Sequence, residues 1–273
     1  MNQSPPVPVR VGEVLLGKYV VERIIGAGGM GVVAAVRHHD LGKLYAMKFM
    51  LPTALANEQA VDRFVREARA AANIKSENVA EVIDVGRLPT GSPYMVMEYL
   101  EGEDLEGYLA KQPRGYLPPA EAAAYVMQAC DAIAAAHDMG VVHRDLKPAN
   151  LFRTPRPDRV ANIKVLDFGI SKSIDPSAAA NSMTKTTAIM GSPFYMSPEQ
   201  MRSSKNVDHR TDIWALGVIL YQLATGRVPF PGETITEVCS GVLADEPPPL
   251  LNPDGIPPEF DAIVRRCLHK NPT

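Results

Sequence analysis

Two short segments in the second half of the chain combine charged and amide side chains at close spacing. Residues 142–150 read Val-His-Arg-Asp-Leu-Lys-Pro-Ala-Asn, and residues 166–169 read Leu-Asp-Phe-Gly. Transfer of a phosphoryl group uses a carboxylate that orients the attacking hydroxyl, oxygen ligands for magnesium, and cations that balance the developing charge. The side chains of these types are those of Asp145, Lys147, Asn150 and Asp167. Each alone also fits a loop cap, an Asx-turn or a helix start, but their joint order indicates phosphoryl-transfer chemistry.

A glycine-rich segment, Gly-Ala-Gly-Gly-Met-Gly at residues 26–31, lies near the start of the chain. Glycines let a backbone adopt positive φ and approach phosphate oxygens closely, although the same pattern also fits a plain hairpin turn. A dinucleotide-binding fold needs a helix directly after the glycines and an acidic residue about 20 positions later. Residues 32–36 predict a strand instead, and residues 46–51 contain no acid. These features exclude the nicotinamide-binding interpretation.

Lys48 lies on a predicted strand among apolar neighbours, which favours a positioned cation over an ordinary surface lysine. An ammonium group is a compact charge suited to bridging phosphate oxygens. Glu67, on the helix that follows, is the candidate partner that would hold it. The alternative for Glu67 is a helix-face carboxylate that contacts Arg63 at the i,i+4 spacing.

The elements that must position these residues change character along the chain. Residues 1–17 predict an extended, Pro-rich leader. Alternation and turn signals predict five strands and one helix in the first part, at Tyr19–Ile25, Val32–Val36, Lys43–Met50, Val79–Val85 and Tyr94–Leu100, with the helix at Asn57–Asn73. The second part is mainly helical, with helices predicted at Pro119–Met139, Arg210–Thr225 and Glu259–Leu268.

Composition excludes several classes of protein. The 273 residues, 46% of them hydrophobic, can bury the core of one large domain or two packed lobes. A net charge of −3 provides no basic field that would attract nucleic acid. The three cysteines are far apart, which argues against a zinc site or a disulfide framework and fits a reducing compartment. No secretory signal or membrane-spanning stretch is visible, so a cytoplasmic location is expected, although an anchor after residue 273 stays open.

In their order and spacing, these motifs resemble the eukaryotic-like Ser/Thr protein kinase family in its bacterial form. The resemblance covers residues 17–273 and includes Ser-Pro-Glu at 197–199 and Asp-Ile-Trp-Ala-Leu-Gly at 212–217. It implies an α+β, bilobal protein-kinase fold. The N-lobe, residues 18–100, would hold a five-stranded antiparallel sheet plus one helix, and the C-lobe, residues 101–273, would be mainly helical.

The resemblance also implies that the chain ends before its last helix. The arginine that pairs with the carboxylate matching Glu199 would lie beyond residue 273 as well. A buried carboxylate without its cation costs about 3–5 kcal/mol. The chain is therefore expected to be a fragment of a longer protein, or else to be destabilised.

By resemblance, Lys48 holds the α- and β-phosphates of ATP and pairs with Glu67. Asp145 orients or deprotonates the substrate hydroxyl, and Lys147 steadies the γ-phosphoryl group. Asn150 and Asp167 ligate Mg²⁺, for which Mn²⁺ is a possible substitute. Asp212 braces the loop that carries Asp145.

The adenine and ribose site follows from the same resemblance. Its roof would be Val33 and Ala46, its floor Phe152, its gatekeeper Met97, and its hinge would run from Glu98 to Leu100. Asp104 would reach the ribose. The further ATP-binding residues implied are Ile25, Gly26, Gly28 and Gly31.

The expected substrates are Ser and Thr hydroxyls of proteins, because Lys147 and the segment before Ser197 match Ser/Thr rather than Tyr kinases. Ile170 weakly favours threonine. Arg144 beside Asp145 predicts control by a phosphothreonine that also contacts two further cations, Arg63 and Lys172. The predicted sites of trans-autophosphorylation, which would use a homodimer, are Thr184 and Thr186. The alternatives are a nucleotide-binding pseudokinase and a small-molecule kinase of related fold.

Overall fold

The computed structural model describes residues 9–27, 31–157, 161–168, 192–202, 207–251 and 255–271. The chain divides into two compact units. Unit 1 comprises the described residues within Met1–Lys75 and Val79–Glu101, and unit 2 comprises those within Ser76–Asn78 and Gly102–Thr273.

Unit 1 is an antiparallel sheet with two helices. Its strands are β1 (Val14–Leu15), β2 (Tyr19–Ala27), β3 (Gly31–His38), β4 (Leu44–Met50), β5 (Val82–Arg87) and β6 (Pro93–Glu98), in the spatial order β1-β2-β3-β4-β6-β5. The helices are α1 (Pro52–Leu55) and α2 (Glu58–Asn73). The side chain of Asn57 caps α2 by accepting the N–H of Ala60 at 3.2 Å. The sheet thus has one strand more than the five predicted, because the two residues of β1 are too few to show an alternating pattern.

Apolar side chains pack on both faces of this sheet. One cluster includes Val21, Val36, Met47, Phe49 and Val96. The other joins Met50 and Met95 to Phe64 and Ala68 of α2. Since side chains alternate between faces along a strand, α2 covers the face that Met50 shares with Lys48 two residues earlier.

Unit 2 is mainly helical. Its helices are α3 (Leu105–Ala110), α4 (Pro119–His137), α5 (Pro198–Arg202), α6 (Arg210–Thr225), α7 (Ile235–Ala244) and α8 (Pro258–Cys267). A small antiparallel sheet in the order β7-β8-β9 is formed by Glu103–Asp104, Leu151–Thr154 and Asn162–Val165. This sheet was not predicted, and it flanks the 3-10 turn Pro148–Asn150 that ends the segment containing Asp145.

Helix α6 forms the centre of unit 2. Twelve of its residues are buried, so it is a core helix rather than an amphipathic surface helix. A Cβ atom added at Gly217 would lie 2.5 Å from Cβ of Cys267, which shows how closely α6 approaches α8. Along the described parts of the chain, no helix is both long and apolar enough to cross a membrane.

Candidate active site

In unit 1, the strand register gathers several predicted nucleotide-binding residues around Lys48. Lys48 lies opposite Val33 on β3 and Met95 on β6. Ala46 lies opposite Met97 on β6. Directly opposed residues share a sheet face, as do residues two apart on a strand. The predicted roof residues and the predicted gatekeeper therefore share one face with Lys48.

Helix α2 covers this same face and carries Glu67. Glu67 is half-buried and directly precedes Ala68, which packs with Met50 and Met95 of the sheet. Lys48 is also half-buried, on a strand whose residues 45–47 and 49–50 are buried. Two oppositely charged side chains thus lie on the same side of one sheet. Their direct contact stays a prediction.

The glycine-rich segment links β2 and β3. Gly26 pairs with Val33 in the β2–β3 ladder. A Cβ atom at Gly31 would lie 2.5 Å from the carbonyl oxygen of Phe49, so glycine is required here by the close approach of β3 and β4. Ile25 exposes 40% of its surface. Gly28 falls outside the described residues.

The segment predicted as the hinge is anchored by Glu98 at the end of β6. The N–H of Glu98 donates to the carbonyl of Glu81 at 2.9 Å, and its carboxylate accepts the N–H of Glu81 at 2.8 Å. Tyr99 accepts a hydrogen bond from Arg23 of β2, whose guanidinium also lies over the tyrosine ring. Leu100 follows as a half-buried residue. These bonds tie the end of β6 to two other parts of unit 1.

In unit 2, Asp145 and Lys147 form a partly buried pair. Nζ of Lys147 lies 3.4 Å from Oδ2 of Asp145, and the two side chains expose 26% and 16% of their surface. Nδ2 of Asn150 donates to the carbonyl oxygen of Asp145 at 2.7 Å. A carboxylate, an ammonium and an amide are thereby held together within six residues.

A second carboxylate, that of Asp212 at the start of α6, anchors the backbone of this loop. It is 1% exposed. Its Oδ2 accepts the N–H of His143 at 2.8 Å and its Oδ1 accepts the N–H of Arg144, also at 2.8 Å. Oδ2 also lies 2.8 Å from Nε2 of His137. This arrangement is consistent with the bracing role predicted for Asp212.

His143 connects the loop to the segment that carries Asp167. Its Nε2 bonds the carbonyl of Leu166 at 3.0 Å, while its Nδ1 accepts the N–H of Asp145 at 3.3 Å. Its ring lies 5.0 Å from that of Phe168. Burial lowers the pKa of His143 despite the nearby carboxylates, which favours the neutral imidazole. In the neutral ring, the carbonyl facing Nε2 and the N–H facing Nδ1 match the tautomer with its proton on Nε2. The buried ring therefore serves as a structural link between the two motifs.

Asn150 and Asp167 offer a donor set suited to magnesium. The N–H of Leu166 donates to the carbonyl of Asn150 at 2.9 Å, which places the two segments side by side. Because Nδ2 of Asn150 is bonded to Asp145, its Oδ1 is the atom available to a metal. Asp167 is exposed and has a positive φ of 48°. The described residues contain no group of three or more His, Cys, Asp or Glu that could hold a metal ion. Two oxygen ligands nevertheless fit Mg²⁺, which takes its remaining ligands from phosphates and water.

Asp104 and Phe152 face each other across the β7–β8 ladder. Oδ1 of Asp104 accepts the N–H of Gly107 at 2.8 Å and caps α3. Phe152 is half-buried. The roles of these residues at the ribose and under the adenine ring stay predictions.

Of the residues predicted to take part in regulation by phosphorylation, only Arg144 has a side chain within the described part of the chain. Its φ is 64°, and its Nε is buried without a hydrogen-bond partner in the described part of the chain. Lys172, Thr184 and Thr186 lie outside the described residues, as does the side chain of Arg63.

Sequence analysis missed two residues that hold the loop. Nε2 of Gln200 donates to the carbonyl of Arg144 at 3.0 Å, and His137 contacts Asp212 from the end of α4. Both act across more than 50 residues, so no local pattern could have revealed them.

Glu199 is half-buried rather than fully buried, and it lines a cavity of about 490 Å³ together with Arg210 and Arg266. The destabilisation expected from Glu199 is therefore smaller than that of a fully buried carboxylate without a cation.

Residues 19–273 match the protein kinase domain family. The chain belongs to this family. Members generally use ATP and a divalent cation, and the matched range contains every described site residue. The kinase is 40% identical over 273 residues to the serine/threonine-protein kinase pkn3 of Myxococcus xanthus, covering 99% of this chain and 49% of that protein. It is 35% identical over 262 residues to PknB of Mycobacterium tuberculosis, covering 94% of this chain and 40% of that protein.

A crystal structure of a double mutant of the Mycobacterium tuberculosis PknI kinase domain matches with a TM-score of 0.71 and 27% identity, covering 97% of this chain and 92% of that one. Recognition of the family in its bacterial form and the α+β protein-kinase fold are thus confirmed. The chain spans about half or less of the length of the curated relatives it matches.

Proposed function

We propose that this kinase domain transfers the γ-phosphoryl group of ATP to Ser and Thr hydroxyls of proteins. The observation that carries the proposal is the loop of residues 143–150, in which Asp145 and Lys147 lie 3.4 Å apart on a backbone anchored by buried Asp212. A loop whose backbone is anchored by a buried carboxylate holds its side chains in a fixed geometry, so they need not reorganise during the reaction. The printed names of the relatives, serine/threonine-protein kinases, support the same acceptor class.

In the proposed step, the acceptor oxygen forms a bond to the γ-phosphorus as the bond from this phosphorus to the bridging β–γ oxygen breaks. The hydroxyl proton passes to the carboxylate of Asp145, and ADP is the leaving group. In this proposal Lys147 balances the negative charge on the transferring phosphoryl group. Its ammonium lies beside Asp145, the carboxylate that takes the proton of the acceptor hydroxyl. Protein phosphoester and ADP are the products, and Asp145 then releases the proton to solvent.

The ATP phosphates would be held by Lys48, and the adenine ring would contact the face shared by Val33, Ala46 and Met97. Bound Mg²⁺ would neutralise phosphate charge, with Asn150 and Asp167 as its protein ligands. The same oxygen donors would accept Mn²⁺. The apolar character of the sheet face suits a flat aromatic base.

The test is transfer of radiolabelled γ-phosphate from Mg-ATP to the chain itself and to myelin basic protein. We expect label on Ser or Thr that disappears in Lys48→Met. A matched control, Lys43→Met, removes an exposed lysine just before the same strand and should retain transfer. Nucleotide binding without transfer would contradict the proposal and indicate a pseudokinase. Transfer to choline or aminoglycosides but not to protein would indicate a small-molecule kinase.

We also propose that the kinase is controlled by autophosphorylation at Thr184 and Thr186, with Arg144 contributing to the phosphate-binding site. The support is the buried Nε of Arg144, which lacks a partner among the described residues and is suited to an anion. Intact-mass analysis of purified Asp145→Asn protein should show no phosphate in residues 169–191. Phosphate there would refute autophosphorylation as its source.

A further inference from the structure

Unit 1 contains a cavity of about 410 Å³ that none of the proposed catalytic or nucleotide-binding residues line. Its walls are mainly apolar, formed by Val14, Leu15, Leu16, Leu55, Leu88 and Pro89. Cavities of about 300–1,000 Å³ with apolar walls and a few polar groups are typical binding sites for small molecules. The volume is sufficient for a compound with two fused rings.

The cavity lies where β1, the end of α1 and the turn between β5 and β6 meet. Leu15 and Leu88 belong to the core cluster that includes Met47 and Phe49. By strand alternation, that cluster occupies the sheet face opposite Lys48. Leu55 packs instead against the cluster on the Lys48 face, so the cavity takes its walls from both clusters. Because no proposed nucleotide-binding residue lines the cavity, a ligand there would not compete with a bound nucleotide.

Ser92 provides the first polar feature of the cavity wall. The residue is 5% exposed, and its Oγ is buried without a hydrogen-bond partner among the described residues. Leaving a buried hydroxyl unpaired costs free energy. A ligand with a hydrogen-bonding group could recover this free energy, whereas a purely apolar ligand could not.

The exposed Thr90 also lines the cavity, and Glu13 provides its charge. It is the single ionisable side chain among the described residues that line the cavity. Its Oε2 accepts the N–H of Arg10 at 2.8 Å, which fixes the carboxylate at the rim. Val14, 57% exposed, lies beside it, so the rim is open to solvent. An apolar interior with a carboxylate at the entrance complements a molecule with an apolar body and a cationic end.

We propose that this cavity binds a small aromatic amine, with its rings against the leucines and its ammonium group against Glu13. An aromatic carboxylate of the same size would be disfavoured by repulsion from Glu13. The neutral alcohol of the same shape would bind with intermediate affinity, because it keeps the apolar contacts and loses the ion pair. The order of the three affinities therefore tests the proposal.

The experiment is a titration of the methyl-labelled 273-residue chain, followed by NMR, with tryptamine, tryptophol or indole-3-acetate. The expected order of affinity is tryptamine, tryptophol, indole-3-acetate, with shifts at the methyls of Leu15, Leu55 and Leu88. These shifts should persist when a saturating non-hydrolysable ATP analogue is present. The proposal is overturned if no probe binds saturably at millimolar concentration, if shifts centre on Met95 and Met97, or if the nucleotide displaces the probe.

Variants separate the ion pair from the apolar contacts. Glu13→Gln should weaken tryptamine binding about three-fold, the range for an exposed ion pair, and leave tryptophol unchanged. Asp40→Asn, a matched loss of one exposed carboxylate in the turn between β3 and β4, should change neither. Val14→Lys, at an exposed position, should weaken tryptamine and strengthen indole-3-acetate. Equal affinities of all three probes in every variant would refute the role of Glu13.

Discussion

Replacement of Asp212 by asparagine tests whether one buried carboxylate positions the loop that carries Asp145. Asparagine has nearly the same shape but one oxygen instead of two. If that oxygen takes the place of Oδ2, the new amide NH₂ faces the N–H of Arg144, which now donates to Oδ1 at 2.8 Å. One charge-assisted hydrogen bond is then lost, and two donors confront each other at a site that is 1% exposed.

The size of the effect follows from these contacts. A hydrogen bond to a charged group contributes about 1.5–3 kcal/mol, and an unpaired buried donor costs about 1–3 kcal/mol. We therefore expect Asp212→Asn to lower the free energy of unfolding by about 3–5 kcal/mol. We also expect phosphoryl transfer per folded molecule to fall at least about ten-fold, because the loop loses an anchor and small misplacements of reacting groups are costly.

The assay combines urea denaturation, followed by circular dichroism, with transfer to myelin basic protein under conditions in which the variant is folded. Asp131→Asn, at an exposed position on α4, is the matched control and should change neither quantity. The bracing role of Asp212 would be refuted if Asp212→Asn unfolded at the same urea concentration as the wild type. It would also be refuted if transfer per folded molecule were unchanged.

Three further variants probe packing, charge and metal binding. Gly217→Ala should lower the free energy of unfolding by about 1–3 kcal/mol, because the new methyl would lie 2.5 Å from Cβ of Cys267; an unchanged melting temperature would contradict this. Burial lowers the pKa of Lys270 from 10.5 to about 8, so between these pH values the unfolded chain binds more protons than the folded one. The stability of the wild type relative to Lys270→Met should therefore rise from pH 8 to 10.5, and denaturation midpoints that move in parallel would disprove it. Asn150→Ala should raise the Mg²⁺ concentration for half-maximal transfer about ten-fold, whereas an unchanged magnesium titration would exclude Asn150 as a ligand.

The sequence identified the elements whose patterns are local. The range Arg210–Thr225 predicted for α6 matches the observed helix, and α2 begins one residue after its predicted start because Asn57 is the cap. The strand predicted at Val79–Val85 is observed at Val82–Arg87. Val79 and Ala80 are buried like strand residues, although this strand begins only at Val82. Val79 makes only an isolated bridge and Ala80 lies outside any strand, so burial produces an apolar pattern beyond the strand itself.

The sequence also determined the chemistry, because the residue types at 143–150 and 166–169 are those that phosphoryl transfer requires. Only the tertiary structure decided how they are held. The bonds from Asp212 to the N–H groups of His143 and Arg144 span nearly 70 residues, and the bond from Gln200 spans 56. The cavity beside β1 likewise depends on contacts between distant segments, because its walls come from residues 13–16, from Leu55 and from residues 88–92. Such contacts leave no periodic signal, since their free energy comes from groups that meet only after the chain has folded.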